Sequence, residues 1–160
     1  MPNWCMNNIT VSHKNKKKVQ RFVDAYNKGG VCQEFVPMPE GEDWYSWNIS
    51  NWGTKWDFGK DEHDDPAVMK KVVMESGTFY EVSISVNTAW SPPVDFYNHL
   101  TDLGYNVHAS YFEPGMAFCG IYHNGSDNYV EYNGEKDMIP VAIWNEYELE
   151  NWFEMTEEET

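Results

Sequence analysis

An α+β fold, an antiparallel sheet with helices on one face, is predicted by three features of this 160-residue chain. Period-two alternation marks strands, 3.6-residue spacing marks helices between them, and Gly or Pro signals punctuate the two without a long linker. The length suits one domain able to bury its own core. Aromatics are 16% of residues, a proportion that disordered acidic chains lack.

Trp4 to Val11 reads as a strand, bounded by Pro2 and by polar Ser12 to Asn15. Val19, Phe22, Val23 and Tyr26 then fall on one helical face, with Gly29-Gly30 as the stop. Phe35 to Pro39 reads as an extended connector. Trp44 to Phe58, with four tryptophans around Gly53, reads as loop and short strand. Asp64-Asp65-Pro66 has the character of a helix start, with Val68, Met69, Val72 and Val73 as the apolar face of a helix through Glu75 and Gly77 at its end. In Phe79 to Thr88, Tyr80, Val82, Ile84 and Val86 alternate with Glu81, Ser83 and Ser85, the clearest strand pattern in the chain. Ser91 is the expected N-cap of a helix opened by Pro92 or Pro93, carrying Phe96, Leu100 and Leu103. Tyr105 to Phe112 is another strand. Ala117 to His123 and Tyr129 to Tyr132 flank Asn124-Gly125 as a hairpin with a slightly longer loop. In the tail, Ile143 to Thr160, the apolar spacing fits helix and strand about equally badly.

Strand, helix, strand region, strand, helix, strand is the order of a ferredoxin-like sandwich, here with an added β-hairpin. The division this suggests is a domain over residues 1–135 and an acidic, aromatic extension over 136–160, packed on or flanking it.

Charge excludes more than it identifies. Eleven Lys and Arg stand against 26 Asp and Glu, a net −15. Arg21 is the only arginine, so a phosphate-tracking surface is disfavoured and direct nucleic-acid binding is not expected. No apolar run is long enough to span a membrane and no basic-then-apolar leader is present, which points to the cytoplasm and to no membrane partner. Cys5, Cys32 and Cys119 are an odd count without a C-x-x-C pair, the pattern of reduced, buried thiols. Six basic residues against the single acid Asp24 occupy residues 1–33, so the acid is concentrated in the remainder.

Five blocks carry a resemblance. Met1-Pro2-Asn3-Trp4-Cys5 with Asn7 or Asn8, Phe35 to Pro39, Asn51 to Asp57, Thr88 to Pro93, and Glu113-Pro114-Gly115 occur in this order. Together they resemble the YubB-like family with a ferredoxin-like domain, whose members occur in phages, plasmids and integrated elements. The likeness spans roughly residues 1–123 and implies the fold and a mobile-element setting. It implies no activity, and the tail beyond about residue 135 lies outside the shared pattern.

Two surfaces are candidates for function. The first joins Asn51, Trp52, Gly53, Thr54, Lys55, Trp56 and Asp57 to Thr88, Trp90 and Ser91. Flat indole faces interleaved with polar groups suit a small-ligand pocket, with Asp57 or Glu113 as a possible base; the same cluster equally suits a packed satellite core. The second is acidic: Glu62, Asp64 and Asp65, and in the tail Glu146, Glu148, Glu150 and Glu154 with Trp152. Such carboxylates suit a basic partner surface, and solubility is the plainer account. Glu62, His63, Asp64 and Asp65 lack a second ligand group at metal-site spacing, and the chain shows no phosphate loop or hydrolase motif. No metal, cofactor or catalytic residue is therefore assigned. The Lys14 to Lys18 run reads first as a solvated helix face and second as a single-stranded nucleic-acid contact. The reading that results is a non-enzymatic protein that binds a basic surface on a host protein and inhibits or modulates it, for instance a component of host defence.

Overall fold

The computed structural model describes residues 2–158. Met1, which opens the first shared block, and Glu159 and Thr160 of the tail lie outside them. The molecule is α+β, built on one six-stranded antiparallel sheet. In chain order come β1 (Trp4–His13), α1 (Lys16–Asn27), α2 (Val31–Phe35), α3 (Trp44–Asn51), β2 (Lys70–Met74), β3 (Gly77–Ala89) and α4 (Val94–Asp102). They are followed by β4 (Asn106–Glu113), β5 (Phe118–His123), β6 (Ser126–Glu131), a 3-10 turn at Lys136–Met138, α5 (Val141–Glu146) and α6 (Leu149–Glu158). The strands lie side by side as β2-β3-β1-β4-β5-β6.

Alternation along β1 decides what each face does. Ile9 and Val11, with Val82, Ile84, Val107, Ala109 and Tyr122, pack under Val19, Phe22 and Val23 of α1 and Phe96, Tyr97 and Leu100 of α4. On the opposite face Phe112 and Cys119, with Met6 and Ile121 beside them, pack against Ile143 of α5 and Leu149, Trp152 and Phe153 of α6. The Tyr147 hydroxyl fixes this second layer by donating to Ser110 O (2.9 Å). Helices therefore lie on both faces of the sheet and not on one as the sequence predicts, because the acidic tail forms α5 and α6 and packs its apolar side chains on the second face. The part of this face over β1 and β3 stays polar. There Thr10 meets Ser83 (2.9 Å), Ser85 Oγ donates to Asn8 Oδ1 (2.6 Å), and Asn8 Nδ2 donates to Glu146 Oε1 (3.1 Å).

Several elements differ from the sequence expectation. Residues 64–75 are not a helix: an extended stretch leads into β2, which pairs with β3 from Lys70↔Glu81 to Met74↔Gly77. The β-branched Val72 and Val73 serve a hairpin closed by Glu75-Ser76, with Gly77 at φ 130°. Trp44 to Asn51 is helix rather than loop, capped by Asp43, whose Oδ2 accepts from Ser46 N (3.3 Å). The expected connector at Phe35 begins as the end of α2. Pro93, not Ser91, occupies the N-cap position of α4. The β5–β6 turn is the tight two-residue form, Asn124 (φ 43°) and Gly125 (φ 98°) between His123↔Ser126.

Candidate functional site

The two tryptophan-rich blocks meet. Thr54 Oγ1 donates to Ala89 O (3.0 Å), Ser91 Oγ to Gly53 O (2.6 Å), and Phe96 N to Trp52 O (3.2 Å). Gly53 sits at φ 82°, and a Cβ there would lie 3.1 Å from the backbone nitrogens of Val94 and Asp95. Only glycine meets both demands. Thr88 Oγ1 donates to Ser91 O (2.7 Å) and accepts from Asn7 Nδ2 (2.9 Å), extending the junction into the buried start of β1.

The same contacts separate the predicted pocket residues into two groups. Trp52 is a core residue, 4% exposed, with its indole N–H donating to Val36 O (2.8 Å). Asn51 Nδ2 is bonded to Trp47 O (2.9 Å). Asp57 Oδ1 accepts from Cys32 N and Phe58 N (both 2.7 Å) and Oδ2 from Gln33 N (2.9 Å), so its carboxylate caps the start of α2. Glu113, 1% exposed, accepts from Gly115 N (2.6 Å) and Met116 N (2.9 Å) and holds the β4–β5 turn. These bonds give both acids a capping role. Trp56 and Trp90, in contrast, are 40% and 44% exposed, and Trp90 is held at φ 72°, a costly conformation for a bulky side chain.

Trp56 is one wall of the principal cleft, about 620 Å³, within the usual size range of ligand sites. The other wall is β3 from Ser85 to Ala89, with Trp4 at one end and Asp57, Lys60, Asp61 and Asp64 along the loop side. Trp4 and Trp56 approach to 6.1 Å between ring centroids, and Lys55 Nζ lies 4.4 Å from the Trp56 ring. Lys55 also reaches Tyr45 (5.7 Å), whose ring meets Trp44 (5.8 Å), so exposed aromatics run outward from the cleft. Trp4 and Asn87 are shared with a second hollow of about 350 Å³ that ends at Trp152 of α6.

The acidic candidates fall into two groups, one on the loop beside the cleft and one on the tail. Asp64 borders the cleft, while Glu62 and Asp65 are exposed on its loop; Asp61 and Asp64 also shape that loop by accepting from His63 N (2.8 Å) and Asp61 N (3.0 Å). Glu62 Oε1 is 3.4 Å from His63 Nε2. In the tail, Glu146, Glu148, Glu150 and Glu154 are exposed, and Glu148 and Glu150 border a shallow hollow with Trp144. Trp4, Lys60, Ser85 and Asn87 were not among the sequence candidates, while Asp61 falls within the run of acids between Glu40 and Asp65 expected to supply charge. A signal for Trp4 was available: β1 alternation places it on the face opposite buried Cys5. Of the lysine run, Lys14 and Lys16 sit over the rings of Phe79 (5.5 Å) and Tyr80 (6.0 Å).

Comparison with protein-family models, curated proteins and solved structures finds no match. No helix among the described residues is long and apolar enough to cross a membrane.

Proposed function

We propose that this chain is an acidic accessory protein of a phage or other mobile element. It binds a basic surface of a host protein in the cytoplasm, such as a nucleic-acid-binding face, and inhibits or modulates it, a defence-system component being one such target. The observation that carries this reading is the exposed Trp4–Trp56 pair with Asp61 and Asp64 beside it and the acidic tail helix α6 across the second hollow. Aromatic anchors inside a charged rim are the composition of interface centres. The net charge of −15 gives the long-range attraction to a basic partner.

The resemblance to the YubB-like family supplies the mobile-element setting. A ferredoxin-like core is supported by the four adjacent strands β2-β3-β1-β4, with α1 following β1 and α4 following β3. On this reading β5–β6 is an added hairpin and α5–α6 the acidic extension.

The test is affinity capture from lysate of a bacterial host of the element, with wild type, Trp56→Ala, and the triple change of Glu146, Glu148 and Glu150 to Lys. One stoichiometric protein, released by salt and lost with either variant, is expected. Capture that survives both variants contradicts the reading. The cleft's volume favours a second reading, a small-ligand site at Trp56 and Thr88, which a thermal-shift screen on wild type and Trp56→Ala tests directly.

A further inference from the structure

The cleft has an unusual wall. Trp90 N donates to Asn3 O (2.8 Å), and the pairing continues as Trp4↔Ala89, Cys5↔Thr88 and onward to His13↔Tyr80. Hydrogen-bonded and open pairs alternate along an antiparallel ladder. Thr88, Val86, Ile84 and Val82 therefore bond to β1, whereas Ala89, Asn87, Ser85, Ser83 and Glu81 aim their N–H and C=O groups at the opposite edge. Glu81 is met there by Lys70 of β2, where that ladder ends. The chain before β2 turns away instead of continuing along β3, with Ala67 N donating to Asn27 Oδ1 at the end of α1 (2.9 Å). Ala89 O is taken by the Thr54 hydroxyl. Among the described residues, the backbone groups of Ser83, Ser85 and Asn87 have no hydrogen-bond partner in the protein, and all three residues are exposed.

We propose that β3 from Ser83 to Asn87 is a strand-addition site: an extended basic segment of a partner protein pairs with this edge and lays a Lys or Arg side chain between the Trp4–Trp56 pair and Asp61 and Asp64. The inference rests on the basic-partner reading and adds how that partner is held. Main-chain bonds to an open edge give such complexes their affinity, and side chains at alternate positions give them selectivity. The edge supplies the first, and the cleft supplies the second through the Trp4 ring and the Asp61 and Asp64 carboxylates, which favour a cation, while Lys55 already lies 4.4 Å from the Trp56 ring and Lys60 Nζ is tied to Asp61 O (3.0 Å). Charge selects the occupant. A second copy pairing edge to edge brings together two chains of −15, with Asp61 and Asp64 of each at the junction, whereas a basic segment is attracted to the same groups.

The test uses the full chain and a capped, short peptide of alternating Val and Lys, followed by titration and by amide hydrogen exchange. Two further peptides carry N-methyl groups on one alternate set of residues or on the other. Only one set faces β3 in an added strand, so one methylated peptide should bind like the parent and the other about tenfold or more weaker. The parent should slow exchange at Ser83, Ser85 and Asn87. The double variant Asp61→Asn, Asp64→Asn, which keeps the side-chain acceptors of the loop, should weaken binding by about tenfold. Equal binding of the two methylated peptides, or protection confined to other segments, overturns strand addition; loss with the Asn variant then still leaves the basic-partner reading standing. A parent peptide that fails to bind, or that binds the Asn variant unchanged, overturns both at this cleft.

Discussion

Asp57 shows how one side chain can look like chemistry and serve architecture. Its carboxylate gathers three backbone N–H groups from Cys32, Gln33 and Phe58, tying the loop after α3 to the start of α2. Asp57→Ala should cost about 2 kcal/mol of stability, read from urea unfolding, because three donors lose their acceptor together. Trp56→Ala next to it should change stability by less than about 1 kcal/mol, since the ring is substantially exposed, while removing partner binding. An equal stability loss for both would place Trp56 in the core instead. The thiols give a pH expectation. Burial pushes Cys5 and Cys32 well up, with Glu113 and Asp57 respectively adding repulsion, and pushes Cys119 up to about 11 from an ordinary 9.0. A thiol whose folded pKa is raised contributes stability below the unfolded pKa and loses it as pH climbs through the folded one. The Cys119 contribution should therefore fade between about pH 9 and 11, and Cys119→Ala should flatten that part of the urea-midpoint profile.

At the level of elements, α5 and α6 are part of the fold. Ile143 and Leu149 are fully buried against Phe112 and Cys119, so Leu149→Ala should cost about 2–5 kcal/mol in urea unfolding. Truncation at Asp137 should expose the same apolar face and lower the unfolding midpoint, which makes charge reversal on the helices the cleaner way to probe their acids. These helices were illegible in the sequence because Glu148, at φ 51°, breaks the tail into two short pieces whose faces do not share one period. Strands β1 and β3 were legible because their burial alternates along most of their length, whereas β4 is buried on both faces from Ala109 to Glu113 and shows as a short apolar run ahead of a turn. Strand β2 was not: four of its five residues are exposed, so Val72 and Val73 carried no facing information and matched a helix equally well. The helix α3 was readable in principle from Asp43 as N-cap and Gly53 beyond its end, but the density of tryptophans drew the reading toward a loop.

At the scale of the whole molecule, the sequence disclosed the two tryptophan blocks and their meeting, while the centre of the site came from long-range topology. Trp4 and Trp56 are 52 positions apart in the chain and become neighbours because Trp4 pairs with Ala89 of β3 and Thr54, two residues before Trp56, bonds to the same Ala89 O. No local period encodes that. The charge excess was legible at once, but bulk charge and a placed acidic rim make different demands on a partner. The partner identified by capture should associate faster at low salt and lose that advantage as added salt shortens the range of the attraction. The decisive measurement compares two charge reversals of equal size in titrations against that partner: Asp61→Lys with Asp64→Lys at the cleft, and Glu75→Lys with Asp102→Lys away from it. If the cleft is the binding centre, the first pair weakens binding by about tenfold or more and the second by much less. Equal losses would mean that net charge alone attracts the partner and that the Trp4–Trp56 cleft is not where it binds.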